Sequence, residues 1–166
     1  MGHHEHEAEA PKTLNVAVLT LSDTRSLDED TSGKLLCDEL SGVGHHLVLY
    51  ELIRENPEEI EKTLSRFLDA SVDVVITNGG TGLTSRDGTI EVAKKLMQKE
   101  LPGFGELFRL LSFHQIGAAA LLSRATAGLA RGKILICLPG STKAVRLAIR
   151  RILIPQLSHM VREARR

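Results

Sequence analysis

Four short, almost unbroken apolar runs constrain this chain more than any other feature: residues 14–21, 47–52, 72–77 and 134–138. A strand with one wet face alternates apolar and polar side chains. A run that is apolar at consecutive positions must instead be covered on both faces, as in a mostly parallel sheet. The stretches between the runs carry helical spacing. Leu36, Leu40 and Val43 recur at i, i+4 and i+7, with Gly42 and Gly44 as a C-terminal stop. Ile60, Leu64, Phe67 and Leu68 form a second stripe. Before it stand Asn56, Pro57 and Glu59 as N-cap, first helical residue and capping-box acid. Ile90, Ala93 and Met97 form a third stripe that ends before Pro102. Strand and helix in alternation predict an α/β fold of three layers, a mostly parallel sheet with helices on both faces.

Two later segments behave differently. Between Gly103 and Ile116, Phe104, Leu107, Phe108 and Leu111 make one helical face, while Leu110, Phe113 and Ile116 make a second. A helix apolar over that much of its circumference buries more than one side, and the second side suits another subunit. Residues 142–166 read as an amphipathic helix that Pro155 should kink or break. Residues 13–166 are expected to form a single domain. Residues 1–12, with His3, His4 and His6 among acids and alanines, are expected to be a flexible tail.

Composition excludes several function classes. With 21 basic against 21 acidic side chains and an aromatic fraction of 3%, neither a broad phosphate-tracking surface nor a base-stacking platform is expected. No run has the length of a membrane span, and no signal-peptide core precedes the first strand, so a cytoplasmic protein is expected. Cys37 and Cys137 lie in apolar patterns and are expected to be reduced core thiols. The seven histidines show no metal-ligand spacing.

Chemistry concentrates where the third run ends, at Val74-Val75-Ile76-Thr77-Asn78-Gly79-Gly80-Thr81-Gly82. Glycines at such a turn accept positive φ and let consecutive N–H groups face an anion without Cβ atoms in the way. In a parallel sheet the turn lies at the carboxyl ends of the strands, where ligands bind. Two familiar phosphate motifs do not fit: Gly33-Lys34 is followed by Leu35, and Gly80-Thr81-Gly82-Leu83-Thr84-Ser85, a near miss of the dinucleotide fingerprint, is followed by a helix and Pro102-Gly103 and not by a second strand ending in an acid. Asp87 either caps the third helix or holds Mg²⁺ between phosphates. Ser22-Asp23 follows the first strand. Pro139-Gly140-Ser141-Thr142-Lys143 follows the last and opens a helix, which would suit a second anion. The polar residues of Ser123-Arg124-Ala125-Thr126 are not explained by periodicity.

Taken in order, Thr77-Asn78-Gly79-Gly80-Thr81-Gly82, Arg86-Asp87-x-Thr89, Pro102-Gly103-Phe104-Gly105-Glu106, Ser123-Arg124-Ala125 and Leu138-Pro139-Gly140-Ser141 resemble the molybdenum-cofactor biosynthesis MoaB/MogA family. Phe108 to Phe113 and Gly140 to Lys143 resemble its MoaB branch. The resemblance implies the family's molybdopterin-binding fold and, in active members, adenylylation of molybdopterin by Mg-ATP. It implies trimers or hexamers, and a molybdenum or tungsten insertase downstream. It places Gly79, Gly80, Thr81 and Gly82 on phosphate or nucleotide, Ser22 and Asp23 on the nucleotide side, and Gly140, Ser141 and Lys143 along the pocket. Asp87 becomes the Mg²⁺-holding or orienting residue. Where the family usually carries an aspartate after the second strand, this chain has Glu55, whose arm is one methylene longer. Three functions are therefore expected to compete: adenylyltransferase, non-catalytic molybdopterin binder or carrier, and oligomeric scaffold for cofactor-assembly proteins.

Overall fold

Alternate residues of the central strands enter two separate cores, which is why their sequences are apolar without a break. The computed structural model describes residues 11–166, so the histidines of the N-terminal tail lie outside the described residues. In chain order the first elements are β1 (Asn15–Leu21), α1 (Thr31–Gly42), β2 (His46–Ile53), α2 (Pro57–Asp69), β3 (Val74–Asn78) and α3 (Thr89–Leu96). Then come β4 (Lys99–Glu100), α4 (Pro102–Ile116), β5 (Thr126–Ala130), β6 (Lys133–Leu138), α5 (Thr142–Ala148) and α6 (Ile154–Ala164). The strands form one sheet in the order β2-β1-β3-β6-β5-β4. The first four are mutually parallel; β5 runs antiparallel to both neighbours.

Val16 and Val18 of β1, with Val74 and Ile76 of β3, pack under α1, α4, α5 and α6. Ala17, Leu19 and Val75 pack under α2 and α3 on the opposite face. Phe108 anchors the first core and Phe67 the second, each with no exposed surface. Fully burying such a ring contributes about 1.5–3 kcal/mol. The expected three-layer α/β architecture is thus present, but only three of the four apolar runs, β1, β3 and β6, are covered on both faces; β2 is the edge strand of the sheet, and its Leu47 and Val48 stay exposed.

The flank is where the expectation fell short. β5 was not anticipated because Thr-Ala-Gly-Leu-Ala is small rather than strongly apolar, and β4 has only two exposed residues. A Cβ on Gly128 would come within 2.4 Å of the Lys99 carbonyl oxygen, so close approach of the β4 backbone explains the glycine.

The helix ends follow local chemistry. Asn56 caps α2 by accepting the N–H groups of Glu58 and Glu59 at 3.0 and 3.1 Å. Gly44, at φ +95°, turns the chain after α1. The disruption expected at Pro155 takes the form of a π turn over Ile149–Leu153, closed by the Ile154 N–H on the Ile149 carbonyl. Pro155 then follows the π turn directly, at the second residue of α6, where the widened turn accommodates its missing N–H without breaking the helix.

On α4, Phe104, Phe108 and Ser112 are buried, while Leu107, Leu110, Phe113 and Ile116 are exposed. Cys37 and Cys137 are free and sit in opposite cores, where burial pushes both thiols up to about 12. Among the described residues, no helix is long and apolar enough to cross a membrane.

Candidate functional site

The register of the parallel strands brings four chain segments to one edge. Leu21 pairs with Ile53, Thr20 with Asn78, and Asn78 with Leu138. The turns after β1, β2, β3 and β6 therefore leave the sheet at the same level. From β1 the chain goes first to one side, as β2, and later to the other, as β3. That reversal opens a crevice between β1 and β3 at the carboxyl ends.

The glycine turn fills the floor of that crevice. Gly79 has φ +99° and Gly80 has φ +63°, a region that favours glycine. A Cβ on Gly79 would stand 2.2 Å from the Leu21 carbonyl oxygen, and one on Gly80 would stand 2.3 Å from the Thr89 hydroxyl oxygen. The Gly79 N–H donates to Leu138 at 3.0 Å, and the Gly80 carbonyl accepts from the Thr89 N–H at 3.1 Å. Among the described residues, the N–H groups of Gly80 and Thr81 have no hydrogen-bond acceptor. Backbone this constrained, with two consecutive donors to spare, is suited to an anion.

Above the turn lies a cavity of about 310 Å³ whose walls include Ser22, Arg25, Glu55, Asp87 and Gly140. It adjoins a second of about 550 Å³, walled by Ser22, Asp23, Arg25, Arg54 and Glu59. Asp87 does not cap α3; Gly88 occupies that position. Its Oδ2 instead accepts the Thr84 hydroxyl at 2.6 Å and the Thr84 N–H at 2.9 Å. The Thr84 hydroxyl, helped by the backbone of Thr84 and Gly82 and by the Arg124 charge, holds the Asp87 carboxyl below its ordinary value. Glu55 shifts the other way. Burial, then the charges of Asp87 and Asp23, push its carboxyl up.

A cation near Glu55 and Asp87 would relieve that repulsion. Among the described residues no group of three or more potential metal-ligating side chains is assembled. Mg²⁺, however, is normally held by one or two carboxylates together with substrate phosphates and waters. Two carboxylates on one cavity wall fit that donor set.

The remaining expected residues divide. Gly79, Gly80, Thr81, Gly82, Gly140, Ser22, Glu55 and Asp87 share the cavity. Ser22 also shapes the loop, its hydroxyl accepting the Thr24 and Arg25 N–H groups. Asp23 lies next door, with one oxygen on the Glu55 N–H at 3.0 Å and the other on Arg86 at 3.2 Å. Ser141 is occupied as the N-cap of α5, accepting the Ala144 N–H at 3.2 Å. Lys143 is not brought to this cavity: it lines a separate depression with Gln115 and Arg146. Two positions along a helix point to different sides, which separates Lys143 from Ser141.

Sequence inspection missed three contributors. Arg25 reaches the Gly140 carbonyl at 3.4 Å, and Ser32 donates to the same oxygen at 2.8 Å. Arg124 donates to the Gly82 carbonyl at 2.8 Å and pairs with Glu91. Only Arg124 had a signal, as a polar residue outside any periodic pattern.

The chain has relatives along nearly its whole length. The family described as "Probable molybdopterin binding domain" matches residues 17–159. The chain is 45% identical to molybdenum cofactor biosynthesis protein B of Bacillus subtilis, covering 100% of this chain and 99% of that one. A crystal structure of a molybdenum cofactor biosynthesis protein B superposes with TM-score 0.88 at 44% identity, covering 94% of this chain and 98% of the other. The tungsten cofactor synthesizing protein MoaB from Pyrococcus furiosus superposes with TM-score 0.86 at 41% identity, covering 95% and 100%. With that coverage and identity, the chain belongs to the molybdenum-cofactor biosynthesis MoaB/MogA family.

Proposed function

We propose that this protein is a molybdopterin adenylyltransferase of molybdenum or tungsten cofactor biosynthesis, transferring AMP from Mg-ATP to the terminal phosphate of molybdopterin. The observation that carries this reading is the pair of free N–H groups at Gly80 and Thr81, beside Glu55 and Asp87 in one cavity. In the reaction a molybdopterin phosphate oxygen bonds to the α-phosphorus, the bridging α–β P–O bond breaks, and pyrophosphate leaves. Chemistry of this kind depends on positioning and on meeting developing charge with fixed dipoles. The Gly80 and Thr81 amides bind phosphate oxygens without reorganising, because Leu21, Thr89 and Leu138 fix the turn. Thr84 keeps Asp87 ionised and aimed. Arg25 stands at the Gly140 side, where it adds positive charge next to the transferred group. Bound Mg²⁺ would neutralise phosphate charge, with Glu55 and Asp87 as its protein ligands.

Incubation of the purified protein with molybdopterin and Mg-ATP should yield adenylylated molybdopterin and pyrophosphate. Binding of both substrates without turnover, across Mg²⁺, Mn²⁺ and Co²⁺, would sink the enzyme assignment.

A second reading, a non-catalytic molybdopterin binder or carrier, is favoured by Glu55, whose longer arm displaces the carboxylate. About 1 Å of displacement can cost 10²-fold in a positioned reaction. Under that reading Glu55→Asp raises turnover by a large factor; under the first it changes turnover little. The exposed α4 stripe supports self-association into trimers or hexamers, and is also where a scaffold or an insertase would dock. A cytoplasmic location accompanies both readings.

A further inference from the structure

Away from the glycine turn, one depression concentrates positive charge that nothing in the proposed reaction uses. Lys143, Arg146, Arg150 and Arg151, together with Gln115 and Leu147, line a space of about 370 Å³ beside α5 and the π turn. Among the described residues, no carboxylate lines it. Glu39 of α1 is engaged by Arg150 at 2.5 Å, and its carboxyl is held low first by that bond and then by the charges of Arg150 and Arg146. Lys143, Arg146 and Arg151 form no ion pair among the described residues. Elsewhere Arg66, Arg86, Arg124, Arg131 and Arg165 each pair with a carboxylate, and the cations that form no ion pair among the described residues, such as Arg54 and Arg109, do not gather in one depression with another three. In a chain with no net charge, gathering like charges at helical spacings of three and four is unfavourable unless something offsets it.

We propose that this depression is a second anion site, taking a small polyphosphate anion of the di- or triphosphate class. Guanidinium forks bind phosphate oxygens in pairs, and the two unpaired forks of Arg146 and Arg151, with the Lys143 ammonium, match a ligand with several such groups. The volume falls within the usual range for small-molecule sites, about 300–1,000 Å³. The site is independent of the adenylyl-transfer reading, since none of its residues lines the glycine-turn cavity.

Calorimetric titration of the full chain with inorganic pyrophosphate tests it, comparing wild type with Arg146→Ser/Arg151→Ser and with Arg66→Ser/Arg131→Ser. The first double variant should lose one binding event, or at least tenfold in affinity, with an unchanged thermal midpoint. The second should bind like wild type. Raising the salt concentration should weaken the lost event strongly. The proposal is overturned if wild type shows no saturable binding, if the Arg146/Arg151 variant gives the same isotherm, or if both variants lose binding equally. Saturation by citrate but not by pyrophosphate would also overturn it. Binding at the glycine turn persists in the Arg146/Arg151 variant, so failure here leaves the first site untouched.

Discussion

The loops that follow β3 and β6 leave adjacent parallel strands at the same level, yet they solve the same problem in opposite ways. After β6 the chain enters a helix almost at once, and Ser141 supplies its own acceptor to the Ala144 N–H. The Gly140 carbonyl is held by Ser32 and Arg25, and no residue there needs positive φ. After β3, two glycines with positive φ delay the helix until Thr89, and two N–H groups are left without an acceptor among the described residues. A helix start satisfied by its own side chain has little left for a ligand. A strained turn braced from below retains its donors, and that difference separates a support from a grip.

Substitution at the two glycines should break the comparison most sharply. Gly79→Ala places a Cβ against the Leu21 carbonyl in a backbone region that strains any side chain, so a loss of about 2–5 kcal/mol in urea denaturation is expected. Gly140→Ala meets the Gly79 Cα at 3.1 Å and the Gly79 nitrogen at 3.5 Å, without a positive φ, and should cost less than half as much. Equal losses would remove the distinction between the loops.

Asp87→Ala comes next. Its carboxylate is partly exposed and bonded only within its own loop, so the midpoint of thermal unfolding should move little. Turnover should fall by about 10²–10³, the usual effect of deleting one charge-stabilising group. Ser141→Ala should do the reverse, costing about 1 kcal/mol of stability as a lost cap while leaving nucleotide affinity within twofold.

The smallest effect is in pH dependence. Glu55 has a raised folded pKa, so its ionised form burdens the folded chain, and that burden disappears as pH falls through the folded value. Glu55→Gln should therefore stabilise the protein at neutral pH and lose this advantage in acid. For Asp87, with a lowered folded pKa, the stabilisation is present above the unfolded value and is lost only as pH falls through the folded one. Mg²⁺-dependent nucleotide binding should thus weaken first with protonation of Glu55, and calorimetry across the acid range would show one step fewer in the Gln variant.

Much of this contrast was legible in the residues themselves. Runs such as Val74-Val75-Ile76 identify doubly covered strands because both neighbouring layers demand apolar contacts, and Gly79-Gly80 marks backbone that no side chain could occupy. Asn56 and Pro57 fix the start of α2 through bonds made within four residues. What stayed hidden depends on distant partners. β5 is a strand because β6 and β4 pair with it, while its own residues are too small to announce one. Arg25 and Arg124 act on carbonyls that lie more than 40 residues away. Lys143 was expected beside Ser141 on the strength of proximity in sequence, and the helix that begins between them turned it elsewhere.

The buried thiols have a practical corollary. With Cys37 and Cys137 sealed in separate cores and raised to about 12, neither supplies appreciable thiolate near neutral pH. A cysteine introduced at Leu83, which is 72% exposed just beyond the glycine turn, would be the dominant nucleophile toward a maleimide dye. The native chain is in effect already a cysteine-light background, ready to carry a single optical reporter at the mouth of its pocket.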